Sequence, residues 1–358
     1  MTPEDLETTT PSSLGYSMPA EWAPHGATWL SWPHNLETWP TSLEKVREVW
    51  VQMVCALAPY EKVNLLVNDH FAERDVGARL KKAGAGMDNI RLLKIPTVDV
   101  WMRDYGLTFL TRNSNDQPLA GNDWIFNGWG GKYKAYEEDD RVARKIAPLL
   151  DIPIFEHDIV LEGGSIEVNG AGTCLTTEQC LLNKNRNPHL NRGQIEERLQ
   201  HSLSVSHFIW LAEGIAGDDT DGHIDDIARF VDPTTVVCVL EADSRDDNYI
   251  ALRENYERLR GATDQNGKKI SVATLPCPRP IYCNGGRLPA SYANFYIAND
   301  VVLVPVFDDP NDQKATGILQ DLFSRRKVIG LRCNEVVGGL GAIHCVTQQE
   351  PATCVPRP

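Results

Sequence analysis

Two short apolar segments, KVNLLVN at 62–68 and NIRLLKI at 89–95, decide the fold class. Each has the length and the Val, Ile and Leu content of a buried strand, and residues 71–83 between them have the periodicity of a helix. A strand, a helix and a second strand in succession indicate a βαβ unit with parallel strands. The segment therefore predicts an α/β fold.

The same order of elements recurs along the chain, without a Gly/Ser/Pro-rich linker that would divide it. Upstream, residues 43–57 predict a helix that is begun by a capping box of Thr41 and Glu44 and is ended by Pro59. Two further units lie in the second half: a strand, a helix and a strand at 235–241, 247–261 and 270–275, and again at 301–307, 311–323 and 327–331.

Composition and charge exclude several classes of protein. The 358 residues are 42% hydrophobic, which argues against disorder, and the net charge is 35 − 49 = −14. This acidic balance argues against a nucleic-acid partner and an anionic membrane; it favours a cationic ligand or serves solubility alone. There is no apolar run long enough to span a bilayer and no signal sequence at the N-terminus, so we expect a cytoplasmic protein.

The nine cysteines include no CxxC pair and no zinc-type spacing with histidine. A chain of this length builds a core without disulfides. We therefore expect mostly free thiols in a reducing compartment.

Two motifs carry charged residues in short loops. WMRDYG at 101–106 places Arg103 beside Asp104, either as a structural salt bridge or as part of a site. LEGGS at 161–165 places Glu162 before two glycines, which is typical of an ordinary turn or of a place where the backbone passes close to a ligand.

A third loop, EGIAGDDTDGHIDD at 213–226, holds six carboxylates and one histidine but no Lys or Arg. Charges of one sign at this density predict a cation nearby. An EF-hand would put its end ligands at Gly217 and Ala228, which cannot serve, and His223 with Asp225 provides too few ligands for a transition metal. If 223–225 is extended, the imidazole and the carboxylate share one face.

A fourth loop, GGLGAIHCVT at 338–347, leads from glycines into a short apolar segment, predicted as a strand, that ends in His344 and Cys345. Lone cysteines are commonly buried core residues, but the glycines here allow a ligand to approach Cys345. On a strand His344 would face away from Cys345, which indicates a structural role. A thiol, a histidine and several carboxylates suit nucleophilic attack on a cationic guanidinium carbon, because carboxylates hold that planar group by paired hydrogen bonds.

With these motifs the sequence closely resembles the agmatine deiminase (agmatine iminohydrolase) family, which is related to bacterial-type peptidylarginine deiminases. The resemblance runs from about residue 18 to about residue 350. The matching segments are MPAEWAPHGATWLSWPHN (18–35), WMRDYG (101–106), FNGWGGKY (126–133), LEGGSIEVNGAGTCLTTEQCLLN (161–183), GDDTDGHIDDIARFV (217–231), CNGGRLPASYANFYIAN (283–299), VPVFDDPNDQKA (304–315) and GLGAIHCVTQQ (339–349).

The resemblance implies the pentein fold, a five-bladed pseudo-symmetric α/β propeller. It implies a single catalytic domain at 18–350, between a flexible N-terminal segment at 1–17 and a C-terminal tail at 351–358. The implied reaction is hydrolysis of agmatine to N-carbamoylputrescine and ammonia in polyamine (putrescine) metabolism. It passes through a cysteine-bound thiouronium and needs no metal or organic cofactor, in a homodimer or homotetramer.

The resemblance also assigns catalytic roles, matched residue by residue. Cys345 is implied as the nucleophile and His223 as the general acid and base. Asp104 and Asp225 are implied to hold the guanidinium, and Glu162 to orient the groups of the same pocket.

Two further residues are implied at the substrate channel, Trp101 as a wall and Asp219 as the partner of the far amine. The sequence departs from the usual pattern at three positions. Leu107 replaces a proline that is common there, Gly128 replaces an alanine and Gly338 replaces a bulkier residue. None of them is an implied catalytic group.

Two other functions fit the same residues. One is deimination of free or peptidyl arginine, which would need a basic partner for an α-carboxylate at the far end of the channel. The other is a non-catalytic acidic protein that binds polyamines or a metal, for which Cys345 would be dispensable.

Overall fold

The computed structural model describes residues 9–353, and its strands form five sheets of three or four strands and one separate hairpin. The strands are β1 (His25–Ser31), β2 (Lys62–Val67), β3 (Ile90–Lys94), β4 (Thr108–Thr111), β5 (Leu119–Ile125), β6 (Ile154–Val160), β7 (Glu167–Val168), β8 (Thr173–Thr177), β9 (His207–Leu211), β10 (Ala228–Asp232), β11 (Thr235–Leu240), β12 (Ser271–Pro276), β13 (Tyr282–Cys283), β14 (Gly286–Arg287), β15 (Tyr296–Ile297), β16 (Val301–Val306), β17 (Lys327–Arg332) and β18 (Gln348–Pro351).

The longer helices connect these strands, and single helical turns lie in the loops. The longer helices are α1 (Leu43–Leu57), α2 (His70–Lys82), α3 (Val142–Leu150), α4 (Arg192–Leu203), α5 (Tyr249–Gly261) and α6 (Asp312–Leu322). The α-helical turns are Met102–Tyr105, Glu137–Asp140 and Glu178–Leu181, and the 3-10 turns are Ser12–Leu14, Met87–Asn89, Gly163–Ser165, Ile224–Asp226 and Val336–Gly339. Gly128–Gly131 is a turn whose residues all have positive φ.

One pattern of strands is repeated in all five sheets. The first strand is antiparallel to the second, and the second is parallel to the third across a helix; β4, β5 and β6 with α3 are one example. The other sheets are ordered β7–β8–β9, β10–β11–β12, β15–β16–β17 and β18–β1–β2–β3. The predicted α/β fold is confirmed, and the strands and helices predicted in the strand–helix–strand units lie within two residues of their observed bounds.

The last strand of the described chain pairs with the first. β18 is antiparallel to β1, with Trp29 opposite Gln348 and Thr28 opposite Gln349. The indole N–H of Trp29 also donates to a carboxylate oxygen of Glu350 at 2.8 Å. This sheet therefore holds the two ends of the fold together, a pairing that the local sequence patterns did not predict.

The capping box predicted at the start of α1 is wrong. The helix begins at Leu43 after Ser42, and no side chain caps its N-terminus. Glu44 contacts guanidinium groups instead, with carboxylate–nitrogen distances of 2.6 Å to Arg47 and 2.9 Å to Arg79. The helix is stabilised by its buried apolar face, which consists of the predicted residues Leu43, Val46, Val49, Trp50, Met53, Val54 and Leu57.

The predicted domain boundaries stay a prediction, because residues 1–8 and 354–358 lie outside the described residues. Within residues 9–17, Tyr16 is buried and Ser17 forms a β-bridge with Thr111. At the other end, Pro351 is the last residue of β18. The fold therefore includes residues on the outer side of both predicted boundaries.

Across residues 9–353, no helix combines the length and apolarity needed to cross a membrane. Each cysteine in that part of the chain is a free thiol.

Candidate active site

The predicted catalytic residues lie in loops that occupy equivalent positions next to the different sheets. Each of the five sheets begins with an antiparallel strand, and the segment before that strand contributes to the site. These segments carry Cys345 before β18, Asp104 before β4, Glu162 before β7, His223 and Asp225 before β10, and Asn294 before β15. The repeated strand pattern thus brings residues that are far apart in sequence to one place.

Asp104 lies in the helical turn Met102–Tyr105 and is fully buried. Its Oδ1 accepts the backbone N–H of Gly164 at 3.0 Å, and its Oδ2 accepts the indole N–H of Trp129 at 2.9 Å. Arg103 pairs with Glu21 at 3.2 Å rather than with its neighbour. The two charged residues of this motif therefore serve different networks, and Asp104 belongs to the site.

His223 is buried between two carboxylates. Its Nδ1 is 3.7 Å from Asp104 Oδ1, and its Nε2 is 4.0 Å from Glu162 Oε2. Neither ring nitrogen has a hydrogen-bond partner. A Cβ on Gly164 would lie 2.6 Å from His223 Nδ1, so only glycine leaves the imidazole its space.

The environment shifts the pKa of both groups upward. Burial alone would lower the pKa of His223, but the Asp104 carboxylate outweighs burial and raises it well above its usual value, with Cys180 and Glu162 adding to the effect. Burial raises the pKa of Asp104 to about 6; His223 opposes this shift, while Asp225 and Glu162 support it. An imidazolium beside a carboxylate is the favoured state near neutral pH.

The extended conformation considered for residues 223–225 is not observed. Residues Ile224–Asp226 form a 3-10 turn, and Asp225 Oδ2 contacts His344 Nδ1 at 2.6 Å. Asp225 Oδ1 has no hydrogen-bond partner although it is buried. The turn therefore directs Asp225 towards the other histidine and leaves one oxygen for a ligand.

Cys345 lies at the end of the cavity, in a turn rather than in the predicted strand. Its Sγ accepts a hydrogen bond from Asn294 Nδ2 at 3.0 Å and lies 3.8 Å from Asp225 Oδ2. Burial, and then Asp225, Asp226 and Asp104, raise the pKa of this thiol well above its usual value. The free protein thus keeps Cys345 protonated, and a cation among these carboxylates would favour the thiolate.

His344 is held at both ring nitrogens. Nδ1 contacts Asp225 at 2.6 Å, and Nε2 contacts Glu21 Oε2 at 2.8 Å. Carboxylates accept hydrogen bonds, so the ring satisfies both partners only when it donates from both nitrogens. Burial opposes ionisation of both carboxyl groups, yet Arg229 and His344 hold the pKa of Glu21 well below its usual range, and His344 lowers that of Asp225.

A cavity of about 370 Å³ opens above Cys345. Trp101 forms part of its wall, and a Cβ on Gly341 would lie 2.4 Å from the Trp101 ring, which explains why the chain is glycine there. Asp219 lies on the lining as well, and its Oδ2 accepts the Tyr133 hydroxyl at 2.5 Å. The lining is otherwise Asn35, Glu37, Thr38, Val98, Asp99, Asp104, Phe126, Trp129, Lys134, Ala135, Tyr136, Asp139, Thr220, Gly338, Gly339 and Leu340.

Two further carboxylates of the acidic loop have hydrogen-bond or ion-pair partners of their own. Asp218 accepts backbone N–H groups of its own loop, including that of Gly222 at 2.8 Å. Asp221 pairs with Lys132 at 2.8 Å and with Arg186 at 2.9 Å. The cation that the charge density predicted is thus provided in part by two side chains from other loops.

Arg186 also reaches the site itself. Its Nε donates to Glu162 Oε1 at 2.6 Å, and both side chains are fully buried. Glu162 Oε2 keeps no hydrogen-bond partner. The Arg186 guanidinium holds the Glu162 carboxylate through Oε1, and the free Oε2 lies on the side of His223.

Two groups of residues have the composition of a metal site. The ligand atoms of Glu162, Cys180 and His223 lie within 4.8 Å of one another, and so do those of Asp225, Asp226 and Cys345. In the second group Asp226 Oδ1 and Cys345 Sγ both accept from Asn294, and Asp225 Oδ2 contacts His344. Fewer ligand atoms are therefore unpartnered there than in the first group.

The three departures from the family pattern have different structural settings. Leu107 is fully buried in the core. Gly128 has φ +66°, and a Cβ would lie 2.7 Å from the Tyr133 carbonyl oxygen, so alanine would be strained there. A Cβ on Gly338 would meet no atom within 4 Å, which leaves this part of the cavity lining open.

Sequence reasoning missed several residues that shape the site. Asn294, Trp129 and Arg186 contact Cys345, Asp104 and Glu162, and Glu21 contacts His344. Asn294 stands out as a polar residue among the aromatic residues of YANFYI at 292–297, and this was the available signal. Glu21 and Arg186 had no comparable local signal.

Comparison with known proteins identifies the family to which the chain belongs. Residues 17–351 match the Porphyromonas-type peptidyl-arginine deiminase family. The chain belongs to this family. Among relatives, it is 39% identical to the agmatine deiminase of Ectopseudomonas mendocina over 96% of this chain and 98% of that one. It is 38% identical to the agmatine deiminase of Medicago truncatula, with the same shares of the two chains covered.

Solved structures of the family agree with the fold. The agmatine deiminase of Enterococcus faecalis superposes with a TM-score of 0.89 at 34% identity, over 96% of this chain and 98% of that chain. A C. jejuni agmatine deiminase, solved as a cysteine-to-serine variant with substrate bound, has a TM-score of 0.84 at 32% identity, over 94% of this chain and 96% of that chain.

Proposed function

We propose that this protein is an agmatine deiminase, a hydrolase of the C–N bond of a linear amidine. One observation carries the proposal: Cys345 and Asp104 line one end of the cavity, and Asp225 lies 3.8 Å from the Cys345 thiol while the His223 imidazole lies 3.7 Å from Asp104. The relatives named agmatine deiminase, which match nearly the whole chain, support it.

The charges around Cys345 favour a guanidinium substrate over an acyl substrate. Acyl transfer needs hydrogen-bond donors directed at a developing oxyanion, and carboxylates would repel that charge. A guanidinium is planar and cationic and offers paired N–H groups to carboxylates. Asp104 and the free Oδ1 of Asp225 supply acceptors of this kind.

In the first half of the proposed reaction, Asp104 and Asp225 hold the guanidinium, whose charge offsets the carboxylates, so that the Cys345 thiol releases its proton to solvent and becomes a thiolate. The sulfur attacks the guanidinium carbon and forms an S–C bond. His223, protonated beside Asp104, gives its proton to the departing nitrogen, so that the C–N bond breaks and ammonia leaves. A cationic thiouronium remains on Cys345.

In the second half, His223 is neutral and accepts a proton from water. The resulting hydroxide attacks the same carbon; the S–C bond then breaks, the hydroxyl proton passes to the departing sulfur, and N-carbamoylputrescine leaves as the Cys345 thiol is restored. Glu162, held by Arg186, orients and stabilises the imidazolium in both halves. The proposed chemistry needs no metal or organic cofactor.

The far end of the substrate is proposed to bind along an aromatic wall. From Asp104 the wall runs through Trp129, whose ring centroid is 5.3 Å from that of Tyr133, to the Tyr133 hydroxyl bound to Asp219. Trp101 lines the same cavity. Asp219 at the end of this wall is the proposed partner of the ammonium.

Deimination of arginine is the second candidate, because Lys134 also lines the cavity and could pair with an α-carboxylate. A panel of agmatine, free arginine and a peptidyl-arginine, scored by ureido product, separates the two. We expect kcat/KM to be highest for agmatine. Asp219→Asn should raise KM for agmatine about tenfold with little change for arginine, and arginine as the best substrate would contradict the proposal.

Cys345→Ala tests the chemistry directly. We expect loss of ammonia release from agmatine by at least about 10⁴-fold, because the covalent intermediate cannot form. Cys283→Ala is the matched control, since Cys283 is exposed on the hairpin formed by β13 and β14. Turnover near the wild-type rate in Cys345→Ala would favour a non-catalytic binding protein.

Other expectations from the resemblance belong to the same proposal. The five repeated sheets are proposed to be the blades of a pentein propeller, with the site where their first strands begin. We also propose a cytoplasmic homodimer or homotetramer in polyamine metabolism. Light scattering coupled to gel filtration tests the assembly.

A further inference from the structure

The surroundings of His223 suggest a second kind of ligand. We propose that Glu162, Cys180 and His223 form a binding site for a thiophilic divalent cation such as Zn²⁺, and that the cation inhibits the enzyme. One ligand atom from each residue lies within 4.8 Å of the others, and all three side chains are buried. The proposed reaction has no role for Cys180.

The ligand atoms lack competing hydrogen bonds and are fixed in place, and a bound cation would displace the protons of His223 and Cys180. Glu162 Oε2 and both nitrogens of His223 are buried without hydrogen-bond partners, whereas buried polar atoms are normally paired. Arg186 holds Glu162 through the other oxygen at 2.6 Å. Cys180 lies in the turn Glu178–Leu181, whose first turn is capped by the Thr177 side chain. The three groups therefore come from rigid parts of different loops.

The donor set selects the type of cation. Sulfur, imidazole nitrogen and one carboxylate oxygen are ligands of Zn²⁺, whereas Ca²⁺ and Mg²⁺ prefer oxygen alone. Three protein ligands leave a fourth position for water. The group of Asp225, Asp226 and Cys345 is the weaker candidate, because Asn294 contacts Asp226 Oδ1 and Cys345 Sγ, and His344 contacts Asp225 Oδ2.

The inhibitory effect rests on the proposed function. A cation bound to a ring nitrogen of His223 removes that nitrogen from proton transfer, so the departing ammonia would lose its acid. A chelator should therefore leave purified enzyme as active as before or restore activity lost to added Zn²⁺. Binding itself does not depend on the reaction and can be measured without substrate.

The binding test uses the full-length Cys345→Ala protein, which removes the other thiol of the cavity. Titration with Cd²⁺ should produce thiolate-to-metal charge-transfer absorption at one equivalent. The double variant Cys345→Ala/Cys180→Ser should lose this absorption, and Cys345→Ala/Cys283→Ser should retain it. Absorption that survives the loss of Cys180 would overturn the proposal.

Two measurements protect the test against misfolding of the Cys180 variant. X-ray absorption of the Zn²⁺-loaded Cys345→Ala protein should show one sulfur among otherwise nitrogen and oxygen ligands; a shell without sulfur would overturn the proposal. In enzyme with Cys345 intact, Cys180→Ser should weaken Zn²⁺ inhibition of agmatine turnover by at least about tenfold, with basal turnover within a few-fold. Binding without inhibition would support the site and contradict the role given to His223.

Discussion

Two histidines lie near Cys345, and their surroundings differ sharply. His223 and His344 are both 1% exposed. Both nitrogens of His344 contact carboxylates, at 2.6 Å from Asp225 and 2.8 Å from Glu21. The nitrogens of His223 have no hydrogen-bond partner, and the nearest carboxylate oxygens are 3.7 and 4.0 Å away.

The difference distinguishes His223, which is placed to transfer a proton, from His344, which holds two carboxylates in position. Both ring nitrogens of His344 contact buried carboxylates whose pKa values are lowered, so loss of the ring would leave Glu21 and Asp225 without this partner. A proton on His223 is stabilised by Asp104 without a short hydrogen bond and can pass to a substrate nitrogen. The structure thus gives each histidine a different expected phenotype.

The largest expected effect is on turnover in His223→Ala. Loss of the general acid and base should reduce kcat for agmatine by about 10²–10⁴-fold, as is typical for such groups. The free energy of unfolding should fall less than in His344→Ala, because His223 loses its charge contact with Asp104 at 3.7 Å but no hydrogen bond. Steady-state kinetics and urea denaturation of the same preparation measure both. A loss of only a few-fold in kcat would contradict the assigned role.

The second effect is on stability in His344→Ala. Removing the ring leaves Glu21 and Asp225 without a buried partner, and breaking buried pairs of this kind costs about 3–5 kcal/mol. Denaturant unfolding should show this loss, and the KM for agmatine should rise because Asp225 is no longer held. His189→Ala is the matched control, since His189 is exposed.

If His344→Ala unfolds at the same denaturant concentration as wild type, the carboxylates have other partners and the comparison fails. If it is stable but loses turnover as completely as His223→Ala, His344 takes part in proton transfer.

The elements of the fold were predictable from sequence because their signals are local. The apolar face of α1 and the apolar runs of β2 and β3 each lie within a few residues, and their positions are confirmed. The motif residues Asp104, Glu162, His223, Asp225 and Cys345 were also identifiable, and the structure brings them together. Local pattern located the loops that carry these residues, whereas their catalytic roles came from the resemblance to the agmatine deiminase family.

The partners within the site were not predictable, because they come from distant loops. His344 is separated from Asp225 by 119 positions and from Glu21 by 323. An extended segment at 223–225 would place Asp225 on the same face as His223, but Ile224–Asp226 form a 3-10 turn and Asp225 contacts His344. Short-range periodicity cannot determine which loop of one sheet meets which loop of another.

The smallest expected effect is on the pH dependence of turnover and concerns Asp104, the carboxylate beside the protonated His223. Its pKa of about 6 means that the carboxyl is ionised above that pH and neutral below it, where it no longer accepts both hydrogen bonds of a guanidinium. We expect kcat/KM for agmatine to fall as the pH drops through about 6. The corresponding limb of kcat should lie at lower pH, because the bound cation stabilises the carboxylate.

Trp129→Phe tests whether this limb belongs to Asp104. The indole N–H donates to Asp104 Oδ2 at 2.9 Å and lowers its pKa, so loss of the donor should move the acid limb of kcat/KM upward by about one pH unit. Trp124→Phe is the matched control, because its indole donates to Thr108 and not to the site. If the acid limb of kcat/KM does not move in Trp129→Phe, the titration belongs to another group. An upward shift confined to this variant would show that the acid limb reflects ionisation of Asp104, the carboxylate that keeps His223 charged.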